Sequence, residues 1–139
     1  MAGTSAGMPG VTITIDDDAQ TCTLPLSARA LEQILYELLE NSRKFSPHVA
    51  PAATISLSAD DAGMLLTVTD DGLTLSPQQI LWAVTPFLQG EKHFTGETPG
   101  MGLGLSLVAA LMWRAGGSMN LHNRSDAPGM VVELRFPPA

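Results

Sequence analysis

The sequence predicts an α/β fold, a two-layer α/β sandwich in which helices pack on one face of a mixed β-sheet. Three observations support this prediction. Two long segments have the periodicity of helices. Short segments in which apolar and polar residues alternate flank these two segments in pairs. A chain of 139 residues has room for one hydrophobic core. Hydrophobic residues make up 45% of the chain and charged residues 15%, which excludes a largely disordered polypeptide.

Strands are predicted where apolar and polar residues alternate and turn residues follow. The predicted strands are residues 11–15, 22–24, 53–57, 64–69, 118–123 and 130–136. Residues 59–63 form a loop between the third and fourth of these strands, and a turn at 126–129 connects the last two. Each of these two pairs is therefore expected to form a hairpin.

Helices are predicted from the spacing of apolar residues and from residues typical of helix ends. The predicted helices are the segment between Ser27 and Pro47, residues 76–84 and residues 103–115. Ser27 is the N-cap candidate of the first, and its apolar residues fall on one arc that we expect to face the core. Ser76-Pro77 is typical of a helix start, and Gly116-Gly117 of a helix end.

The charge balance and the cysteine content exclude several classes of protein. Seven basic residues against fourteen acidic ones give a net charge of −7, which argues against a nucleic-acid-binding protein. Cys22 alone excludes a disulfide framework and a cysteine-rich zinc site. The longest apolar run, residues 103–113, is too short to span a membrane, and residues 1–10 lack the pattern of a signal peptide. We therefore expect a cytoplasmic domain at residues 11–139 behind a flexible lead-in or expression remnant at residues 1–10, taken from a longer protein.

Polar residues form a stripe along the first long helix, beside its apolar arc. Glu37, Asn41 and Lys44 are separated by four and three residues, so they lie on one side of the helix. An amide oxygen can bind magnesium, an ammonium group can bind phosphate, and a carboxylate can position or deprotonate water. The stripe suits a magnesium–phosphate ligand, although from this helix alone a solvated edge is the simpler interpretation.

A carboxylate follows the strand at residues 64–69. Asp70 at that strand end can accept a hydrogen bond from the exocyclic amine of adenine, and it would repel the carbonyl of guanine. Gly72, two residues later, lets a base approach the backbone. An ordinary turn is the alternative interpretation of this Asp-Asp-Gly segment.

Glycines at every second position open the last predicted helix. Gly100, Gly102 and Gly104 offer bare backbone amides and a helix N-terminus to an anion. No Gly-Lys-Ser/Thr follows, which excludes a P-loop, and Leu105 stands where the dinucleotide fingerprint requires a glycine. A structural glycine hinge is the alternative. The preceding residues, 86–99, form a polar loop of a length that is usually functional or disordered.

In this order and spacing, the motifs resemble those of the GHKL ATP-binding domains (gyrase, heat-shock chaperone, histidine kinase, mismatch-repair ATPase), which adopt the Bergerat fold. The resemblance covers about residues 11–137. ILYELLENSRKFS is similar to the N box, VTDDGLTL to the first glycine box, TPFLQGEKHF to the F box and GMGLGLSLV to the second glycine box. The residues at 43–46 and the GLGLSLV segment favour the sensor histidine kinases among these branches.

The resemblance implies Mg-ATP as the ligand and assigns roles to the motifs. Asn41 would hold Mg2+ against the phosphates, and Lys44 or Arg43 would contact them. Asp70 would bind the adenine amino group, with room provided by Gly72. The other implied contacts are Phe87, as the anchor of an ATP lid at residues 86–99, and Gly100, Gly102, Leu103 and Gly104, around the phosphates. Glu37 stands where the ATPase branches carry a water-activating base.

The implied function is that of the Mg-ATP-binding catalytic domain of a two-component sensor histidine kinase. Such a domain supplies the γ-phosphate to a histidine on a dimerisation domain, upstream in a longer protein, and serves a response regulator indirectly. His48, His93 and His122 lack the sequence context of that acceptor. We therefore expect the isolated chain to be a monomer, inactive in phosphotransfer, with no contact to nucleic acid or membrane.

Two residues depart from the family pattern. Thr74 replaces the second glycine of the first glycine box, and Met130 replaces a threonine near the adenine. Either departure is expected to weaken nucleotide binding. Three alternative functions remain open: a serine kinase of the anti-sigma-factor type, a degenerate GHKL domain that acts as a protein-interaction module, and a water-activating ATPase that uses Glu37.

Overall fold

The computed structural model describes residues 10–44, 52–80 and 103–138. Residues 77–80 are helical, and the other elements in these ranges are numbered in chain order. They are β1 (Gly10–Ile15), α1 (Asp17–Gln20), α2 (Ala28–Lys44), β2 (Ala52–Asp60), β3 (Gly63–Asp70), α3 (Leu103–Arg114), β4 (Ser118–Asn123) and β5 (Met130–Phe136). None of the described helices combines the length and the apolar character needed to cross a bilayer.

The five strands form one mixed sheet in the order β1-β2-β3-β5-β4. β1 is parallel to β2, with Ile13 opposite Ile55, and all other neighbouring strands are antiparallel. Because parallel strands need a crossover connection, α2 lies between β1 and β2 in the chain and packs on the sheet. The two predicted hairpins, β2–β3 and β4–β5, are confirmed.

Apolar residues at alternate strand positions fill the layer between the sheet and the helices. α2 contributes Ile34 and Leu38 to this core, and α3 contributes Val108 and Met112. The strand residues in the core are Ile55, Met64, Leu66, Val68, Val132, Leu134 and Phe136. Residues between them, such as Glu133, point to the opposite face of the sheet. The predicted two-layer α/β sandwich is thus confirmed.

Side chains cap the two helices that follow serine residues. The Ser27 hydroxyl accepts a hydrogen bond from the Ala30 N–H at 3.0 Å, which confirms the predicted N-cap of α2. Ser76 and Gln79 form a reciprocal capping box: the Ser76 hydroxyl accepts from the Gln79 N–H at 3.1 Å, and the Gln79 side chain accepts from the Ser76 N–H at 2.8 Å. The helical start at residue 77 is therefore confirmed, whereas its predicted extension through residue 84 lies outside the described residues.

Glycine ends α3 as predicted. Gly116 has a φ of +78°, and the Gly117 N–H donates to the Met112 carbonyl at 2.8 Å. This is the six-to-one bond of a Schellman motif, which satisfies a carbonyl that the helix leaves without an internal partner. The motif turns the chain directly from α3 into β4.

One predicted strand is wrong. Residues 22–24 are not a strand, and the chain forms the single-turn helix α1 after β1 instead. The Cys22 thiol donates to the Asp18 carbonyl at 3.2 Å, so local bonding replaces strand pairing here. β2 and β3 are also longer than predicted, because Gly63 adopts a φ of +121° and lets the hairpin turn within two residues.

The outer strand β1 is much less covered than its neighbour. Ile13 is 62% exposed, although Ile55 beside it on β2 is only 6% exposed. Val11 and Ile15, on the same side of β1, are exposed as well. The helical layer among the described residues therefore protects the centre of the sheet and leaves the apolar side of this edge open.

We predict that Leu134→Ala destabilises the domain by about 2–5 kcal/mol, because truncating a fully buried leucine leaves a cavity. Leu134 is 0% exposed, at the centre of β5. Leu107→Ala is the matched control, since Leu107 is 39% exposed on α3. Urea unfolding followed by circular dichroism measures both, and an equal loss in the two variants would contradict this placement of the core.

Candidate functional site

The Asp70 carboxylate lies where β3 ends, beside the start of β5 and the last turns of α2. Its Oδ1 accepts hydrogen bonds from the N–H groups of Gly72 and Met130, each at 2.9 Å. Its Oδ2 accepts a hydrogen bond from the Ser42 hydroxyl at 3.0 Å. A carboxylate offers about four acceptor positions, so Oδ2 retains capacity for a donor on a ligand.

The turn between β4 and β5 holds the Met130 amide against Asp70. The Arg124 guanidinium donates twice to the Asp126 carboxylate, at 3.0 Å, and once to the Asp70 carbonyl, at 3.2 Å. Hydrogen bonding to Arg124 lowers the pKa of Asp126 below its ordinary value, so this pair is ionised at neutral pH. Gly129, at a φ of +139°, approaches Asp70 so closely that a Cβ would lie 2.1 Å from its carbonyl oxygen. Glycine is therefore required there.

Asp70 faces a mainly apolar pocket between the sheet and the two long helices. The described residues that line the pocket are Leu38, Asn41, Ser42, Val68, Asp70, Leu73, Leu75, Leu105, Leu121, Met130 and Val132. Among these residues Asp70 alone is ionisable. Apolar walls with a few polar groups are typical of sites for small molecules and cofactors.

Asn123, at the end of β4, fixes one wall of the pocket. Its side-chain oxygen accepts from the Leu75 N–H at 2.9 Å, and its side-chain nitrogen donates to the Leu75 carbonyl at 2.8 Å. Leu75 belongs to the segment between β3 and the helical residues 77–80, and it is 7% exposed. The paired bonds act like one rung of a sheet and hold this segment against the pocket.

Asn41 lines the same pocket from α2. Its Nδ2 is buried and has no hydrogen-bond partner among the described residues. A buried amide without a partner costs free energy, and a ligand that supplies the partner recovers it. The amide oxygen is also a suitable ligand for Mg2+, which usually takes one or two protein groups and completes its coordination with phosphate and water. Asn41 therefore fits the predicted magnesium position.

The other predicted α2 residues lie away from this pocket or are only partly described. Glu37 accepts a hydrogen bond from Gln33 at 2.7 Å and does not line the pocket. Arg43 binds Glu40 through two nitrogens, and this hydrogen bonding raises the pKa of Arg43. Lys44 is the last residue of α2, and its side chain lies outside the described residues. The roles predicted for these three residues stay predictions.

Comparison with known proteins identifies the family. A family model described as histidine kinase-, DNA gyrase B- and HSP90-like ATPase matches residues 27–139. The chain belongs to this family. Among curated relatives, the histidine protein kinase DivJ of Caulobacter vibrioides is 34% identical over 111 residues, and the sensor protein RstB of Escherichia coli is 28% identical over 137 residues. These matches cover 78% and 99% of this chain but 18% and 31% of the relatives, so the chain spans less than a third of their length.

Solved structures of the family share the fold. The catalytic domain of the histidine kinase ThkA matches with a TM-score of 0.69 at 20% identity, over 91% of this chain and 77% of that one. The ATP-binding domain of PrrB from Mycobacterium tuberculosis matches with a TM-score of 0.65 at 20% identity, over 94% and 82% of the two chains. The predicted GHKL fold and the predicted kinship with ATP-binding catalytic domains of two-component histidine kinases are confirmed.

The second glycine box is described only from the start of α3. Leu103 and Gly104 are the first residues of that helix, so their backbone belongs to its first turn. The remaining predicted residues of the site, Phe87, Gly100, Gly102 and the lid at residues 86–99, lie outside the described residues. Their contacts with ATP, like those of Leu103 and Gly104, stay predictions.

The two departures from the family pattern have different positions. Thr74 is exposed and does not line the pocket, so its side chain takes no space there. Met130 is 6% exposed and forms part of the pocket wall, while its backbone N–H binds Asp70. The departure at residue 130 thus changes the pocket lining and keeps the backbone contact.

Sequence reasoning missed three residues that shape the site: Ser42, Asn123 and Arg124. An asparagine that ends a predicted strand before a turn is a weak signal for a side chain bonded to backbone. A serine inside a helix and an arginine in a turn carry no comparable signal. Their roles depend on contacts with β3 and with the segment that follows it.

We predict that Asn123→Ala destabilises the domain by about 1–3 kcal/mol, because it removes both partners of the buried Leu75 backbone. Asn120→Ala is the matched control on the same strand, since Asn120 is exposed and donates to Glu133 across the outer face. Thermal unfolding measures both variants. Equal melting temperatures for the two variants would contradict the role assigned to Asn123.

Proposed function

We propose that this chain is the Mg-ATP-binding catalytic domain of a sensor histidine kinase, which supplies the γ-phosphate of ATP to a histidine on a separate dimerisation domain. The observation that carries the proposal is the oriented carboxylate of Asp70 in a mainly apolar pocket whose other described lining residues are uncharged. The described pocket is lined by residues of α2, which carries the segment similar to the N box, and by Leu105 near the start of α3.

Adenine recognition follows from the bonding of Asp70. Because Oδ1 already accepts two N–H groups, the acceptor capacity of Oδ2 is what remains for the exocyclic amine of adenine. Guanine would present a carbonyl oxygen at that place, and two acceptors would then face each other in an apolar pocket. The leucine and valine side chains of the lining would pack against the faces of the base.

The phosphates would extend from the pocket toward Asn41 and the start of α3. Asn41 would ligate Mg2+, which when bound neutralises phosphate charge, and the side chain of Lys44 would add a positive charge. The helix N-terminus at Leu103 and Gly104 would supply backbone N–H groups to phosphate oxygens. Catalysis by the protein would consist of positioning and charge neutralisation, because phosphoryl transfer requires little covalent participation by the enzyme.

The phosphoacceptor would come from outside the described part of this chain. His122 lies on the outer face of the sheet, with Nδ1 3.0 Å from the Asn123 carbonyl oxygen and Nε2 3.7 Å from Glu133. It is therefore on the face opposite the helices and the pocket. We propose that a histidine-bearing dimerisation domain precedes this domain in a longer, cytoplasmic kinase region and that a response regulator receives the phosphoryl group from that histidine.

We predict that Asp70→Asn weakens Mg-ATP binding by about 10- to 100-fold, because it replaces a charged acceptor for the adenine amine by a neutral amide. Asp71→Asn is the matched control, since the neighbouring carboxylate accepts from the Ala52 N–H and does not line the pocket. Calorimetric titration of the three proteins with ATP and with GTP, in the presence of magnesium, measures the effect.

We expect wild type and Asp71→Asn to bind ATP with equal affinity, and we expect neither protein to bind GTP. Absence of ATP binding in the folded wild type would overturn the proposal and leave a protein-interaction module as the better account. Equal losses of ATP affinity in Asp70→Asn and Asp71→Asn would overturn only the role assigned to Asp70 and would leave the proposed function standing.

We predict that Asn41→Ala weakens ATP binding by about 10-fold with magnesium and by clearly less in the presence of a chelator, because the amide oxygen would act through the metal. Asn120→Ala, which changes the same residue type far from the pocket, should match wild type under both conditions. An equal loss with and without magnesium would place Asn41 against the nucleotide itself.

A further inference from the structure

Ser42 is the buried polar side chain of α2. It is 2% exposed, and no other polar or charged residue in the described ranges is buried to a similar degree. Its hydroxyl lies 3.0 Å from Oδ2 of Asp70 and 3.2 Å from the Leu38 carbonyl one turn earlier in the helix. The position lines the same pocket as Asn41 and Asp70.

One hydroxyl hydrogen serves these two acceptors. The Leu38 carbonyl already accepts the intrahelical N–H bond of α2, whereas Oδ2 has the Ser42 hydroxyl as its one partner in the described structure. A bond to an ionised acceptor is also stronger than one to a neutral carbonyl. The hydroxyl therefore donates mainly to Asp70, although many serines in helices donate to the carbonyl one turn earlier.

This bond decides how Asp70 faces the pocket. The N–H groups of Gly72 and Met130 hold Oδ1 from the side of the sheet, and Ser42 holds Oδ2 from the helix. Together they fix the plane of the carboxylate, so the acceptor position left on Oδ2 has one direction. Without the hydroxyl, Oδ1 would keep its two hydrogen bonds to backbone N–H groups. The carboxylate could then turn about Oδ1, and the position of Oδ2 would no longer be fixed.

We propose that Ser42 is a positioning residue that orients Asp70 and so contributes to the specificity of this site for a purine with an exocyclic amine. The proposal rests on the proposed function, because it assumes that Asp70 receives the amine of adenine. Ser42 acts through Asp70, so its influence is confined to ligands that carry that amine.

The test compares ATP with purine riboside triphosphate, which differs from ATP only by loss of the exocyclic amine. We expect Ser42→Ala to weaken Mg-ATP binding by about 5- to 20-fold and to leave binding of the analogue within about 2-fold of wild type. Ser118→Ala, at an exposed residue of β4, is the control and should match wild type. Ser42→Cys, which keeps a weak donor of similar size, should fall between wild type and Ser42→Ala.

Thermal unfolding of each variant checks that the fold is intact. Calorimetry gives the affinities.

Two results would overturn the proposal and leave the proposed function standing. One is unchanged ATP binding in Ser42→Ala while Asp70→Asn loses affinity for ATP, which would reduce Ser42 to a helix residue. The other is equal weakening for ATP and the analogue, which would show a packing role only. No ATP binding in wild type would instead remove the proposed function itself.

Discussion

The Asp70 carboxylate connects three parts of the fold that are distant in the chain. It accepts from Ser42 on α2, from its own turn at Gly72 and from Met130 at the start of β5. A buried or half-buried carboxylate is stable only if such donors replace the water that it loses. The position of α2 on the sheet, the end of β3 and the β4–β5 turn are therefore all constrained by one side chain. The Gly129 backbone and the Arg124 side chain are parts of the same constraint, because both contact the Asp70 carbonyl.

The negative net charge of the protein affects how it could bind the proposed ligand, because ATP is itself a polyanion. The net charge is −7, and two of the described arginines already have acidic partners: Arg43 binds Glu40 and Arg124 binds Asp126. Paired guanidinium groups contribute little attraction toward a third charge. Long-range steering would thus be weak or repulsive, and binding would depend on short-range groups such as backbone amides, the Asn41 amide and the metal. This arrangement would favour the magnesium complex of the nucleotide over the free nucleotide.

The parts of the fold that could be predicted are those in which local sequence carries the information. Ser27 caps α2 through a contact within three residues, and two glycines end α3 through a bond within five. Asp70 stood out because Gly72 follows it at the end of an apolar strand. The predicted strand at residues 22–24 failed because alternation over three residues is too short a pattern to exclude the local bonding of α1.

The missed residues have partners far along the chain. Ser42 and Asp70 are 28 positions apart, Leu75 and Asn123 are 48 apart, and Arg124 and Asp70 are 54 apart. No spacing rule connects such pairs, since helical and strand periodicity extend over a few residues only. They become neighbours through the strand order, which places β5 between β3 and β4. The family resemblance supplied predicted roles for the motif residues. The contacts of Ser42, Asn123 and Arg124 could be recognised only in the folded structure.

These sequence separations also have a consequence for folding. Met130 and Asp70 are 60 positions apart, so their bond can form only after the β3–β5 ladder has closed a long loop. The pocket would thus be incomplete until this ladder has formed, and a ligand would have no complete site to bind before then. Bound nucleotide would slow the escape from the native state without accelerating its formation. Occupancy of the site at the proposed adenine-binding carboxylate would then indicate that the whole sheet has assembled.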